Sequence, residues 1–147
     1  MDEHIGHRHL LRVQLLKFPK RFMKEILLVS IGSFFGGGMR YWVSKTVEAH
    51  CCFAFPIGTM AVNVLGCLII GFLSGLGWNG NGWMSASTKL LLTTGFCGGF
   101  TTFSTFMNEG AGLMKDGQYA CTMLYLFGSL ALGLVAILAG HQLAKLI

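Results

Sequence analysis

The sequence has very few charged residues. Only 12% of its 147 residues are Asp, Glu, Lys or Arg, whereas 53% are hydrophobic, and a soluble domain is typically about 25% charged. This deficit argues against a soluble enzyme, a disordered tail and a coiled coil. The basic residues form no stripe alongside the aromatic residues, which argues against a nucleic-acid binder. Residues 1–25 contain six of the eleven Lys and Arg residues, so the formal net charge of +5 belongs mostly to the N-terminus.

Long stretches of the remaining chain contain no Asp, Glu, Lys or Arg at all. A bilayer core about 30 Å thick is spanned by about 20 apolar helical residues. The longest uncharged stretch, 49–88, exceeds one span and contains a loop rich in Gly and Asn at 77–83. We therefore predict an all-α integral membrane protein with four transmembrane helices, at roughly 26–44, 57–76, 86–107 and 120–143.

Residues 1–22 form a basic N-terminal extension to the predicted four-helix domain, 23–147. Apolar residues recur at helical spacing between its basic residues, which is typical of a helix on an anionic membrane surface. Alternatively the true start is Met23. With the extension, eight Lys and Arg residues lie on the side of the termini against three on the other side. Without it the count is three against three. Whether the protein has one preferred orientation in the membrane therefore depends on whether the chain starts at Met1 or at Met23.

The predicted spans also lack the groups that catalysis and proton coupling need. None contains an acid deep within it, although a proton-coupled exporter normally needs a buried carboxylate. No nucleophile–base pair is visible, and the cysteines form no C-x-x-C pair or metal-ligand spacing. We interpret the cysteines as packing residues; they are Cys51, Cys52, Cys67, Cys97 and Cys121. Hydroxyls, one amide, aromatic rings and backbone remain, which suits recognition of a small ion and not an enzyme.

The third span is the most unusual. Gly98 and Gly99 are followed by four hydroxyl residues within 101–105, which predicts a helix broken near the two glycines. Broken membrane helices are tolerated where the freed backbone groups are buried or bind something. Freed carbonyls can hold a cation, and freed N–H groups can meet an anion. The alternative is a continuous helix whose hydroxyls bond back to their own carbonyls.

Glycines at helical spacing also occur in two of the spans. Gly32 and Gly36 lie four residues apart in the first span, and Gly95 and Gly99 do so in the third. Such spacing lets helix backbones approach closely.

Three side chains near these spans have two readings each. Asn63 offers two N–H donors deep in the second span, either for an interhelical hydrogen bond or for lining a path. Phe103 and Phe106 share a helical face, where they either pack or direct their positive ring edges toward an anion.

The remaining candidates lie at the ends of spans or in the fourth one. Arg40 ends the first predicted span, where it either snorkels to the interface or forms an anion-attracting vestibule. Glu109 lies just past the third span, where simple solvation is expected. Tyr125 and Ser129 share a face of the fourth span, where they either extend a track of hydroxyls or make packing hydrogen bonds.

Three segments, 37–41, 58–63 and 95–106, resemble the CrcB/Fluc fluoride channel family. The resemblance covers about residues 23–147. It implies an antiparallel, dual-topology homodimer of four-helix subunits in the cell inner membrane, with two fluoride pores and passive export that lowers fluoride toxicity. It also implies a structural sodium ion held by the backbone carbonyls of Gly98 and Thr101. The matching pore residues are Asn63, Phe103, Ser104, Thr105, Phe106, Tyr125 and Ser129, with Arg40 and Glu109 at a vestibule.

One position departs from the family pattern. Gly133 stands where some relatives carry another hydroxyl, so a shorter hydroxyl track is expected. Two other kinds of protein remain as alternatives to a channel. One is a small multidrug-type proton-coupled exporter, and the other is a non-transporting membrane assembly or redox subunit.

Overall fold

The computed structural model describes residues 20–50, 55–78 and 84–146, with the side chains of 77 and 78 left out. Every regular element in these ranges is helical. In chain order they are α1 (Lys20–His50), α2 (Ile57–Trp78), α3 (Ala86–Leu90), a π-helix (Leu91–Cys97), α4 (Gly98–Phe100), α5 (Phe103–Lys115) and α6 (Tyr119–Ala144).

Three of these helices, α1, α2 and α6, are long and apolar enough to cross a membrane. The third predicted span corresponds to the run from α3 to α5, which is divided into pieces shorter than a bilayer crossing. An all-helical, multi-pass architecture is therefore confirmed. The predicted interfacial helix within 1–22 lies mostly outside the described residues, since only Lys20–Phe22 are seen, as the first turn of α1.

The first helix is longer than its predicted span. It runs unbroken through the glycines at 36–38, past Arg40 and past the predicted end at 44, to His50. At about 1.5 Å per residue, 31 residues extend well beyond a hydrocarbon core about 30 Å thick. Most of its large apolar side chains are exposed, including Phe34 at 76% and Trp42 at 63%, which suits a lipid-facing surface.

We call the run from α3 to α5 the third segment. Glycines determine how closely α1 approaches it. A Cβ added at Gly32 would lie 2.8 Å from the Gly95 Cα, and one at Gly99 would lie 2.6 Å from the Ser33 carbonyl oxygen. At Gly36 the added atom would overlap the Phe96 carbonyl oxygen. The two predicted glycine pairs thus pack against each other, as their spacing indicated.

The second large packing surface joins α2 to α6. Gly71 and Gly140 face the partner backbone here, since a Cβ at either would overlap a carbonyl oxygen, that of Ile137 or of Leu68. This close crossing joins the C-terminal halves of α2 and α6. One to two turns earlier Gly133 contacts Cys67, and Asn63 and Ser129, each one turn before these residues, line one cavity beside the helix break.

The third segment is broken, but three residues beyond Gly98. Gly98 and Gly99 are helical, whereas Thr101 and Thr102 have extended backbones, with φ/ψ of −84°/158° and −147°/117°. The new helix α5 then begins under an N-cap in which Thr102 accepts from the Thr105 N–H. The position predicted for the break was therefore slightly wrong, and the preceding π-helix was not predicted.

Candidate functional site at the helix break

The break is held open by one side chain of a neighbouring helix. The Asn63 Nδ2 donates to the Thr102 carbonyl at 3.0 Å, and the Thr102 N–H donates to the Asn63 Oδ1 at 2.7 Å. Thr102 is 8% exposed, and buried backbone groups must be paired. Asn63 thus makes the interhelical hydrogen bonds that were one of its two predicted roles. We call this pair of bonds the Asn63–Thr102 clamp.

The clamp and the N-cap of α5 each divert a donor that a continuous helix would supply to a carbonyl. In an α-helix each carbonyl accepts from the N–H four residues later, so the Thr102 N–H would serve Gly98 and the Thr105 N–H would serve Thr101. The first N–H goes to Asn63 and the second makes a long 3.4 Å bond to the Thr102 hydroxyl. The carbonyls of Gly98 and Thr101 are therefore released from the helical pattern.

A cavity of about 450 Å³ opens beside the break. It gathers six of the predicted site residues: Asn63, Gly98, Thr101, Phe103, Phe106 and Ser129. Most of its other lining is apolar and includes Ile70, Leu130, Leu134 and Ile137. Among the described residues that line it, none carries a formal charge.

Ser129 is the polar group in this cavity that lacks a partner. The residue is 8% exposed, and its Oγ makes no hydrogen bond to any described residue. A buried hydroxyl without a partner costs about 1–3 kcal/mol. Because Ser129 belongs to the cavity lining, a molecule or ion in the cavity is the acceptor that this hydroxyl suits.

The two phenylalanines occupy different environments in the same cavity. Phe106 is 5% exposed and packs against Tyr125, with ring centroids 4.9 Å apart. Phe103 is 72% exposed, and its centroid lies 6.2 Å from that of Phe106. Phe106 is therefore fixed by its neighbours, whereas Phe103 projects from the surface of the chain.

Glu109 is not simply solvated, and that expectation was wrong. Its carboxylate is half-buried in α5 and accepts from the Thr59 hydroxyl at 2.8 Å and from the Tyr125 hydroxyl at 2.7 Å. The third segment continues as a helix to Lys115, beyond the end predicted for it, and so carries Glu109 alongside α2 and α6. Thr59 was missed as a partner, although it lies within the segment 58–63 that carries part of the family resemblance.

The other predicted site residues lie outside the cavity lining. Tyr125 is fully buried beneath Phe106, and Arg40 is half-buried on α1. Ser104 and Thr105 are exposed in the first turn of α5, where Thr105 accepts a 3.0 Å hydrogen bond from the Thr102 hydroxyl. The structure thus gathers some of the expected residues at one cavity and places the others around it.

These features define a class of protein. It is a multi-pass helical membrane protein whose third segment breaks beside a cavity of amide, hydroxyl, carbonyl and aromatic groups. Non-helical backbone at membrane depth is tolerated where it lines a cavity or binds an ion.

Sequence comparison identifies the family. Residues 27–141 match the family model described as CrcB-like protein, Camphor Resistance (CrcB). A protein of Chlorobaculum tepidum is 50% identical over 124 residues, which cover 84% of this chain and 97% of the relative. A protein of Chlorobium phaeobacteroides (strain BS1) is 44% identical over 128 residues, covering 87% and 98%. A Bacteroides fragilis protein is 44% identical over 126 residues, covering 84% and 98%. Each relative is named fluoride-specific ion channel FluC. The chain belongs to the CrcB family.

Proposed function

We propose that this protein is a fluoride-selective passive ion channel that exports cytoplasmic fluoride and thereby lowers its toxicity. The observation that carries the proposal is the buried Ser129 hydroxyl, which has no partner among the described residues and lines a cavity shared with Asn63 and Phe106. The matched region covers nearly the whole length of each relative, and the relatives' names refer to the same ion.

The chemistry of the cavity suits a small, strongly hydrated anion. A pore must replace the hydration shell of the ion and still release it. The Ser129 hydroxyl is one available donor, and the Asn63 amide keeps a second N–H besides the one given to Thr102. The ring edges of Phe103 and Phe106 carry partial positive charge. Because none of the described lining residues is cationic, no fixed charge would trap the anion.

The working unit in this proposal is an antiparallel homodimer with dual topology. One wall of the cavity is open, and its rim carries large exposed apolar side chains: Phe103 at 72%, Leu130 at 57% and Leu134 at 65%. A second copy packed on this rim would close the cavity against lipid. The balance of basic residues in the chain from Met23 is compatible with insertion in both orientations.

A structural sodium ion is part of the same proposal. Carbonyl oxygens suit a hard cation, and the clamp and the N-cap of α5 release those of Gly98 and Thr101, two residues that line one cavity. Two such oxygens from each of two copies would provide four ligands, and the ion would hold the copies together. Replacing sodium by N-methyl-D-glucamine during purification is expected to lower the thermal stability of the dimer. Equal stability in both salts would contradict the sodium site.

The proposal also includes the location of the protein, which is the cell inner membrane with several crossings. The apolar length of α1, α2 and α6 supports a lipid environment.

The decisive experiment is fluoride release from liposomes that contain the purified protein. Fluoride efflux should be fast and chloride efflux undetectable, and equal release of both anions would refute selectivity. Glu109 is a half-buried carboxylate that is hydrogen-bonded between helices, which is the kind of group that a proton-coupled exporter needs. Uptake of a cationic dye driven by a pH gradient, without fluoride efflux, would support that alternative instead.

A further inference from the structure

Two cysteines that the proposed function does not use line the cavity. Cys67 lies on α2 and Cys97 on the π-helix, and both belong to the lining of the same 450 Å³ space. We propose that they form a two-thiol site for a soft, thiophilic metal ion, and that a metal bound there blocks the channel. The second part rests on the proposed fluoride conduction, whereas the first does not.

The sulfur of Cys67 packs directly against α6 at the edge of the cavity. A Cβ added at Gly133 would lie 3.3 Å from the Cys67 sulfur, so this thiol occupies the space that a larger residue at 133 would need. Ser129, one turn away on the same helix, supplies the buried hydroxyl without a partner. The Cys67 sulfur therefore borders the section of the cavity that continues from Ser129.

Cys97 borders the same space from the opposite element. It is 2% exposed, and its carbonyl accepts from both the N–H and the hydroxyl of Thr101. It thus lies one turn before the helix break, and the Gly98 that follows it is also part of the lining. Both thiols are free cysteines.

The two thiol ligands determine which class of metal ion can bind. Among the described residues no group of three or more His, Cys, Asp or Glu side chains is placed to hold a metal, so the two thiols are the soft ligands that this site offers. Thiolates prefer soft ions, and the soft d10 ions are satisfied by two sulfurs. Neutral HgCl2 is a suitable probe because the described lining carries no charge. Two Cys–SH groups and HgCl2 give Cys–S–Hg–S–Cys, two protons and two chloride ions.

The test uses the full chain with three cysteines replaced by Ser. Cys51 and Cys52 lie outside the described residues, and Cys121 is exposed and does not line the cavity. In this C51S/C52S/C121S background, HgCl2 should lower fluoride efflux at least about tenfold, because an ion in a narrow path excludes the permeant one. Excess dithiothreitol should restore the efflux.

Two further variants and one control test whether both cavity cysteines bind the metal. Adding Cys67→Ala or Cys97→Ala to the background leaves one thiol, which gives Cys–S–HgCl, one proton and one chloride ion. A monothiol such as 2-mercaptoethanol should therefore restore the efflux of either variant at a concentration that leaves the two-thiol background blocked. The control carries C51S/C52S/C67A/C97A and keeps Cys121, and mercury should leave its efflux unchanged. Equal resistance of the mercury block to the monothiol after loss of either cavity cysteine would overturn the two-thiol site.

Metal binding is measured separately from conduction. The ultraviolet absorbance of mercury–thiolate bonds in detergent should saturate at a single mercury per chain in the background variant. Saturation with undiminished fluoride efflux would overturn the block. Saturation in a protein that conducts no fluoride even without mercury would refute the proposed function and leave the metal site supported.

Discussion

Replacing Asn63 by Asp tests the site most directly, because it changes one NH2 group to an oxygen. In the native chain the Asn63 Nδ2 donates to the Thr102 carbonyl and its Oδ1 accepts from the Thr102 N–H. An Asp side chain keeps the acceptor and loses the donor, which leaves the Thr102 carbonyl facing a carboxylate oxygen. It also places a negative charge at a cavity that contains no charged side chain among its described lining residues.

Two free energies follow from this substitution. The unpaired Thr102 carbonyl costs about 1–3 kcal/mol of stability. A fluoride ion about 4 Å from the new carboxylate is repelled by about 4 kcal/mol at an effective dielectric constant of 20. Since about 1.4 kcal/mol is a factor of ten, the occupancy of the cavity should fall roughly a thousandfold. We therefore expect Asn63→Asp to abolish measurable fluoride efflux from liposomes while the dimer still assembles.

Asn63→Ala is the matched control because it breaks the clamp without adding charge. It loses both hydrogen bonds to Thr102, so it should also destabilise the protein, yet it should retain more fluoride efflux than Asn63→Asp. Size-exclusion chromatography and thermal unfolding give the first comparison, and a fluoride electrode gives the second. Wild-type efflux in Asn63→Asp, or equal efflux in the two variants, would refute the electrostatic argument.

Three other substitutions test separate parts of the structure. Phe106→Ile removes a ring edge from the cavity and should lower fluoride efflux at least about tenfold, if one weak contact is worth about 1.4 kcal/mol, without dissociating the dimer. Ser129→Ala should lower efflux by about the same factor but leave the thermal midpoint unchanged or raised, because it removes a buried Oγ that has no hydrogen-bond partner among the described residues. Gly36→Ala should destabilise the protein by about 1–3 kcal/mol, since its Cβ would overlap the Phe96 carbonyl. Gly37→Ala, with nothing within 4 Å of its Cβ, should be neutral or stabilising.

Each of these results has a clear contrary outcome. Wild-type efflux in Phe106→Ile or Ser129→Ala would remove that residue from the path. A large drop in the thermal midpoint of Ser129→Ala would mean that its hydroxyl makes an internal bond. Equal stability of the two glycine variants would contradict the close packing of α1 on the third segment.

The sequence predicted the helices well and the break less well, for identifiable reasons. Helices were predictable because runs without charge are a local property of the chain. The site of the break depends on Asn63, which lies 39 residues before Thr102, and no local pattern contains that contact. Gly98 and Gly99 stay helical, and a Cβ at Gly99 would meet the Ser33 carbonyl oxygen, so its lack of a side chain serves packing and not the break.

The fate of Glu109 illustrates the same limit at the site. Its sequence position, just past an apolar stretch, indicated a solvated acid. Its hydrogen bonds with Thr59 and Tyr125 span 50 and 16 positions of the chain, so only the packed helices bring these groups together. Asn63, Phe103, Phe106 and Ser129 were predicted to share a site because the family resemblance supplied the long-range information that spacing lacked.

The contact of α1 with the third segment determines which substitutions this helix tolerates. Backbone meets backbone at Gly32, Gly36, Gly95 and Gly99, so every substitution there adds atoms where no space exists and none can improve the fit. The opposite face of α1 is exposed and apolar, and exchanges among large hydrophobic residues there leave its environment unchanged. A library of random variants would therefore be tolerant along one side of this helix and almost closed to change along the other.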